Sequence, residues 1–286
     1  MGDRVLVTLD HEVRDADAPL LHADDLGAVR GDGVFETLLV RGGNVLQLEA
    51  HLARLTMSAR ALGLPAQDLD DWRLAVELAA EQWSGDGEGA MRLVLTRGRE
   101  IGGEPTAYVT VAPLPDRVAR VRDEGVSVMT LERGYSVDLG TSAPWLLLGA
   151  KTLSYATNMA ALRYAGVHGA DDVIFVSSEG RVLEGPRSTV VIARDKTLIT
   201  PPLEQGILPG TTQKALFEVA GSKGFRCEYT PLRPADLITA DGVWLISSIT
   251  LAARVRRLDG LTLAEPAWAD DFRALVDLAV ERDPAR

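Results

Sequence analysis

The stretch "PLPDRVARVRDEG", Pro113 to Gly125, interrupts an otherwise regular alternation of apolar strands and amphipathic helices. Two prolines and dense charge argue against a buried element there. It predicts an interdomain linker over 113–124. A small N-terminal lobe over 1–112 would precede it, and a larger C-terminal lobe over 125–286 would follow. Before the break, "RVLVTLD" reads as a strand and "GVFETLLVRGGNVLQLE" as two strands around the turn "RGGN". Leu48, Leu52, Leu55, Ala59 and Leu62 recur at helical spacing, and Gly63 and Pro65 stop that helix. "LDDWRLAVELAAEQW" reads as a second helix capped by Asp70 or Asp71. "AMRLVLTRG" and "TAYVTVAP" read as strands joined by a Gly-rich loop. After the break come short strands and an apolar helix beginning near Lys151. The hairpins "DVIFVSSEGRVLEG" and "STVVIARDKTLITP", the helix "TTQKALFEVAGSKG", the strand "GVWLISSI" and a closing helix complete the chain. Strands and helices mixed without a strict strand–helix–strand repeat predict two α+β lobes, with a ligand expected in the cleft between them.

Charge and composition narrow the function. The 286 residues carry a formal net charge of −11, whereas a nucleic-acid binder would present a basic face. No apolar run approaches the ~20 residues of a membrane span, and the N-terminus has no signal-peptide pattern. The single cysteine, Cys227, cannot form an intrachain disulfide, and no metal-ligand spacing surrounds it. The expectation is a cytoplasmic protein with no nucleic-acid, membrane or metal partner.

Four local features could carry chemistry. Of thirty basic residues only four are lysines, and one, Lys151, lies in the apolar run "LLLGAKTLSYATN". Desolvation lowers a lysine's pKa, which suits an amine that bonds to a carbonyl. The plainer alternative is a packed stem with its ammonium in water. Thr211 and Thr212 open a helix after "GILPG", where unpaired N–H groups and the dipole favour phosphate; both are also ordinary helix-start residues. His51 and Arg54 share a helix face, so Arg54 could turn inward to an anion or outward to water. Glu184 ends an extended run before a Gly-Pro break, facing either a cleft or solvent. Taken together they match the needs of pyridoxal phosphate: an amine for the aldehyde, an acid at the ring nitrogen, and a phosphate cradle.

The ordered set "GDGVFET", "HLARLTMSA", the lysine, "VLEGPRSTVVI", "GILPGTTQ" and "WLISSIT" resembles the class IV aminotransferases, the fold-type IV pyridoxal-phosphate enzymes. The resemblance runs over nearly the whole chain. It implies a two-lobed α+β fold with a β-barrel-like core in the larger lobe, the cofactor between the lobes, and a homodimer. It makes Lys151, in the larger lobe, the Schiff-base lysine, and Glu184 the acid at the pyridine nitrogen. Arg54, Thr211, Thr212 and Ser248 become the phosphate ligands, and Tyr155 a residue near the ring oxygen. Phe35, Arg92 and Ile249 fall on the substrate side, Arg92 as the cation for a substrate carboxylate.

The resemblance implies an anionic amine substrate but leaves its identity open. The "YxRP" segment of many branched-chain enzymes is absent, and Ser154 stands where many relatives have Asn. Gly103 is followed by Glu104 and Pro105 rather than by the "RGY" of many lyases. Gly102 and Glu104 replace the Arg-x-His pair of D-amino-acid enzymes. The style of "KTLSYATNMAAL" and "GILPGTTQ" is closest to the 4-amino-4-deoxychorismate lyases. The leading expectation is therefore formation of 4-aminobenzoate and pyruvate. A D-amino-acid aminotransferase, or less so a branched-chain one, is the alternative, and one site could support both activities. A binding protein that kept only the fold is the non-enzymatic alternative.

Overall fold

A computed structural model describes residues 4–85 and 87–282. They form two compact units. The first holds the described residues through Pro115 together with Ala150–Tyr155; the second holds Asp116–Gly149 and Ala156–Arg282.

The first unit contains β1 (Val5–Thr8), β2 (Val13–Arg14), α1 (Leu26–Arg30), β3 (Gly33–Arg41), β4 (Asn44–Val45), α2 (Leu48–Ala61), α3 (Leu69–Gln82), β5 (Gly89–Thr96) and β6 (Thr106–Pro113). Among the described residues the strands form one antiparallel sheet, ordered β2-β1-β6-β5-β3-β4. Alternation sorts its faces. Val34, Leu38, Val40, Met91, Leu93, Leu95, Val109 and Val111 are buried in one core with Leu52 and Leu55 of α2 and Trp72, Ala75 and Val76 of α3. The opposite face carries the rows Phe35–Val94–Tyr108 and Thr37–Arg92–Thr110. The cap of α3 is Asp68 rather than Asp70 or Asp71: its carboxylate accepts the Asp70 N–H at 2.9 Å.

The second unit contains α4 (Arg117–Glu124), β7 (Val126–Glu132), α5 (Leu139–Ser142), α6 (Ala156–Val167), β8 (Asp172–Val176), β9 (Thr189–Arg194), β10 (Thr197–Thr200), α7 (Thr211–Ala220), β11 (Arg226–Tyr229), α8 (Pro234–Ile238), β12 (Gly242–Ser247), β13 (Leu251–Leu258), β14 (Leu261–Thr262) and α9 (Ala269–Glu281). Its mixed sheet of eight strands among the described residues runs β11-β10-β9-β12-β13-β7-β8, with β14 on β13. Val190, Ile192, Val243, Leu245, Ala253 and Val255 pack its core.

Two boundaries differ from the sequence reading. The expected linker is mostly α4, which buries Val118 and Val121 and leaves Arg117, Arg120, Asp123 and Glu124 exposed. Helical i, i+3 spacing had been masked by the charge density. Lys151 also falls in the first unit, not in a lobe beginning at 125. No helix starts beside it: α6 begins at Ala156. Instead Thr152 bridges Val34, Phe35 N–H donates to Lys151 O at 3.2 Å, and Leu153 N–H donates to Gly33 O at 2.8 Å. The segment thus extends the open edge of β3 like a short strand. The apolar run from Leu146 to Asn158 is not buried: it is half-buried at Lys151 and exposed at Leu146.

Candidate active site

In the first unit, backbone pairing positions Lys151. Its own N–H donates to Ser58 Oγ on α2 at 3.0 Å, so both neighbours of the segment hold it. A Cβ on Gly33 would stand 2.6 Å from Leu95 O and 2.7 Å from a Leu153 methyl, so only glycine permits this approach. The Lys151 Nζ lies 4.4 Å from the centre of the Phe35 ring and 5.9 Å from that of Tyr155. The two rings meet edge to face at 5.5 Å. An amine over aromatic faces is held by cation–π attraction while it is charged. Arg92 is exposed, one row from Phe35 on the same sheet face. Tyr108 completes the Phe35 row; burial raises its phenol pKa, as does Asp25, while Arg92 opposes them.

Arg54 turns inward. Its Nε and Nη2 each donate to the Glu36 carboxylate at 2.7 Å, and Glu36 Oε2 lies 2.7 Å from His51 Nδ1. Glu36 and His51 are almost wholly buried. Burial alone would raise the Glu36 pKa, but Arg54 and His51 more than offset it and hold it at about 2. Burial lowers the His51 pKa; Glu36 opposes this, while Arg54 and Lys151 add to it. Sequence reasoning singled out Arg54 and His51 by their spacing but missed Glu36. The only signal was a carboxylate at a position of β3 where alternation demands an inward side chain.

In the second unit, residues 182–184 return along β8: Leu183 N–H donates to Phe175 O at 2.8 Å and Phe175 N–H to Glu184 O at 2.9 Å. The Glu184 carboxylate accepts the Leu208 N–H at 3.1 Å, which ties it to the loop entering α7. Thr211 and Thr212 are buried at the first turn of that helix. A Cβ on Gly210 would lie 2.3 Å from Thr189 Oγ1, so the helix start sits directly on the beginning of β9. Ser248 and Ile249 form the turn from β12 to β13. Ser247 and Thr250 hydroxyls, 2.6 Å apart, close that turn, and Ile249 O accepts Arg122 Nε at 3.1 Å. Arg122 belongs to α4, so the stretch expected to be a linker anchors this turn. Around Glu184, Arg133 stacks 4.4 Å from the Phe175 ring and donates to Asn158 Oδ1 at 2.7 Å. Tyr135 stands near enough that, besides burial, the Glu184 charge raises its pKa. None of Arg133, Tyr135 and Asn158 had a local motif to mark it.

Phe35, Arg54, Arg92, Lys151 and Tyr155 thus gather in one unit, and Glu184, Thr211, Thr212, Ser248 and Ile249 in the other. The first unit holds a buried arginine and an amine among aromatic rings, and the second a carboxylate and a hydroxyl-rich helix start. The chain matches the amino-transferase class IV family over residues 33–258, and it belongs to that family. It is 57% identical to the bifunctional aminodeoxychorismate lyase / D-amino acid transaminase of Mycobacterium tuberculosis, covering 98% of this chain and 100% of that protein. A solved structure of a hypothetical aminotransferase from Mycobacterium tuberculosis in a PLP-bound form is 58% identical, with a TM-score of 0.95 over 98% of this chain and 100% of that one. A fold IV-transaminase from Curtobacterium pusillum is 40% identical, with a TM-score of 0.92 over 98% of this chain and 100% of that one. The two-unit α+β architecture is accordingly that of the fold-type IV transaminases.

Proposed function

We propose that the protein is a pyridoxal-phosphate enzyme that acts both as an aminodeoxychorismate lyase and as a D-amino acid transaminase. The observation that carries the reading is Lys151, an amine set over Phe35, whose backbone C=O accepts the Phe35 N–H and whose N–H donates to Ser58 Oγ. The relative from Mycobacterium tuberculosis, whose name carries both activities, supports the pair of reactions. Other residues fit the cofactor by the chemistry of their donor sets. Glu184 suits a protonated ring nitrogen, and Arg54, Thr211, Thr212 and Ser248 suit a phosphate. When bound, the cofactor would supply an aldehyde for the amine and a ring that takes up electrons.

The protein's own residues would do the rest. Lys151 Nζ would serve as general base at the carbon bearing the substrate amine. Glu184 keeps a proton on the ring nitrogen by remaining a carboxylate. Tyr155 borders Lys151 and limits water around it. Arg92 and Ile249 lie on the substrate side in this reading, Arg92 gripping a carboxylate. The two reactions share proton removal and differ afterwards. In the lyase the enolpyruvyl group leaves as pyruvate and the ring becomes aromatic. In the transaminase Lys151 returns the proton to a different carbon.

The reading includes a cytoplasmic homodimer. Among the described residues no helix is long and apolar enough to cross a membrane. Trp145, Met159, Tyr164 and Val167 are exposed apolar residues that a partner subunit would cover.

The test supplies aminodeoxychorismate in one reaction and D-alanine with 2-oxoglutarate in another. We expect 4-aminobenzoate and pyruvate from the first, and pyruvate and glutamate from the second. L-alanine should be inert. Failure of one reaction reduces the proposal to the other; failure of both ends it.

A further inference from the structure

Glu36 and His51 take no part in the chemistry above, yet they occupy some of the most costly positions in the first unit. A buried carboxylate is tolerated only when its charge and its lone pairs are met. Both Glu36 oxygens are engaged: Oε1 accepts Arg54 Nε and Oε2 accepts Arg54 Nη2, each at 2.7 Å. His51 Nδ1 stands 2.7 Å from the same Oε2. An ionised carboxylate can only accept, so the proton between them lies on His51 Nδ1, which fixes the tautomer. Burial disfavours a charged His51, so the ring is neutral and the Glu36 and Arg54 charges balance. His51 and Arg54 are i, i+3 neighbours on α2, and Glu36 faces them from β3. The motifs "GDGVFET" and "HLAR" thus converge on one hydrogen-bonded array.

We propose that Glu36 and His51 are positioning residues for Arg54: Glu36 locks the guanidinium plane through two parallel hydrogen bonds, and His51 locks the Glu36 carboxylate. The proposal rests on the reading of Arg54 as a phosphate ligand. An arginine carries many rotamers, and ordering it when a ligand arrives weakens binding. Pairing with Glu36 removes that freedom beforehand. A fork-shaped guanidinium gains from this where a point-like ammonium would not. The effect should therefore be felt by the phosphate of the ligand and not by its ring.

The experiment measures dissociation constants of the full-length protein, freed of cofactor, for pyridoxal phosphate and for pyridoxal, which lacks the phosphate. Arg54→Lys serves as the reference, and wild type should prefer the phosphate ester strongly. Glu36→Gln should lower that preference about tenfold, with pyridoxal affinity unchanged, because a charge-assisted pair is lost. The double variant Glu36→Gln/Arg54→Lys should fall no further than Arg54→Lys alone. His51→Leu removes the donor and should lower the preference. His51→Asn keeps an N–H near the Nδ1 position and should restore it. Should Glu36→Gln fail to fold, the two His51 variants carry the test. Equal weakening of both ligands, an unchanged or raised preference in Glu36→Gln, or a His51→Asn no better than His51→Leu would overturn the proposal. A wild type without preference would overturn the parent reading of Arg54, a failure visible before any variant is made.

Discussion

Lys151 and the Glu36 array make separable demands on the protein. Lys151→Ala should bind pyridoxal phosphate without the visible absorbance that wild type acquires. Both activities should fall by at least roughly 10²–10⁴-fold, the usual worth of a placed general base. Absorption spectra and steady-state rates check this, and a variant retaining the band would remove Lys151 from its role. The array predicts acid lability. The Glu36 pKa lies at about 2 in the folded chain against an ordinary 4.5. Its stabilisation is therefore complete above about pH 4.5 and is lost as pH falls toward about 2. The His51 pKa is lowered from 6.5, so the unfolded chain gains a proton that the fold resists, and stability drops as pH falls below 6.5. Both signs agree. The melting temperature of the cofactor-free protein should decline from pH 7 to pH 4, and His51→Leu should flatten the upper part of that slope. A melting temperature that rises on acidification would contradict both assignments.

Individual helices and strands were largely legible where one face is apolar. The Leu48–Leu62 pattern became α2, and "TTQKALFEVA" became α7. Reading failed where charge hid the period, as in α4, and where a non-helical segment borrowed a sheet edge, as at Lys151. Two glycines test how tightly elements place the candidate site. Gly33→Ala would push a methyl against Leu95 O, a backbone atom that cannot yield. It should cost about 1–3 kcal/mol of stability and displace the Lys151 segment. Denaturant unfolding and turnover would both register it. Gly210→Ala would collide with Thr189 Oγ1 at the start of α7. Because Thr189 Oγ1 is a side-chain atom that can turn aside, the expected signature is weaker cofactor binding at nearly unchanged fold stability. Titration of the cofactor beside a thermal melt separates the two outcomes.

At the scale of the whole chain, the exposed Trp145, Met159, Tyr164 and Val167 make self-association testable. Sedimentation should give twice the chain mass, and Trp145→Glu should shift it toward the monomer while lowering activity. The sequence by itself determined the two α+β units, the family and the residue types for a phosphate-bearing cofactor. These reside in ordered motifs and in the periodicity of apolar positions, both local properties. Only the tertiary structure decided that Lys151 travels with the first unit, that Arg54 is clasped by Glu36, and that Arg122 anchors the turn carrying Ser248 and Ile249. Glu36 and Arg54 lie 18 residues apart, and Arg122 and Ile249 lie 127 apart. No local pattern marks such pairs: burial removes water as the alternative partner, so each buried polar group must find another in the fold.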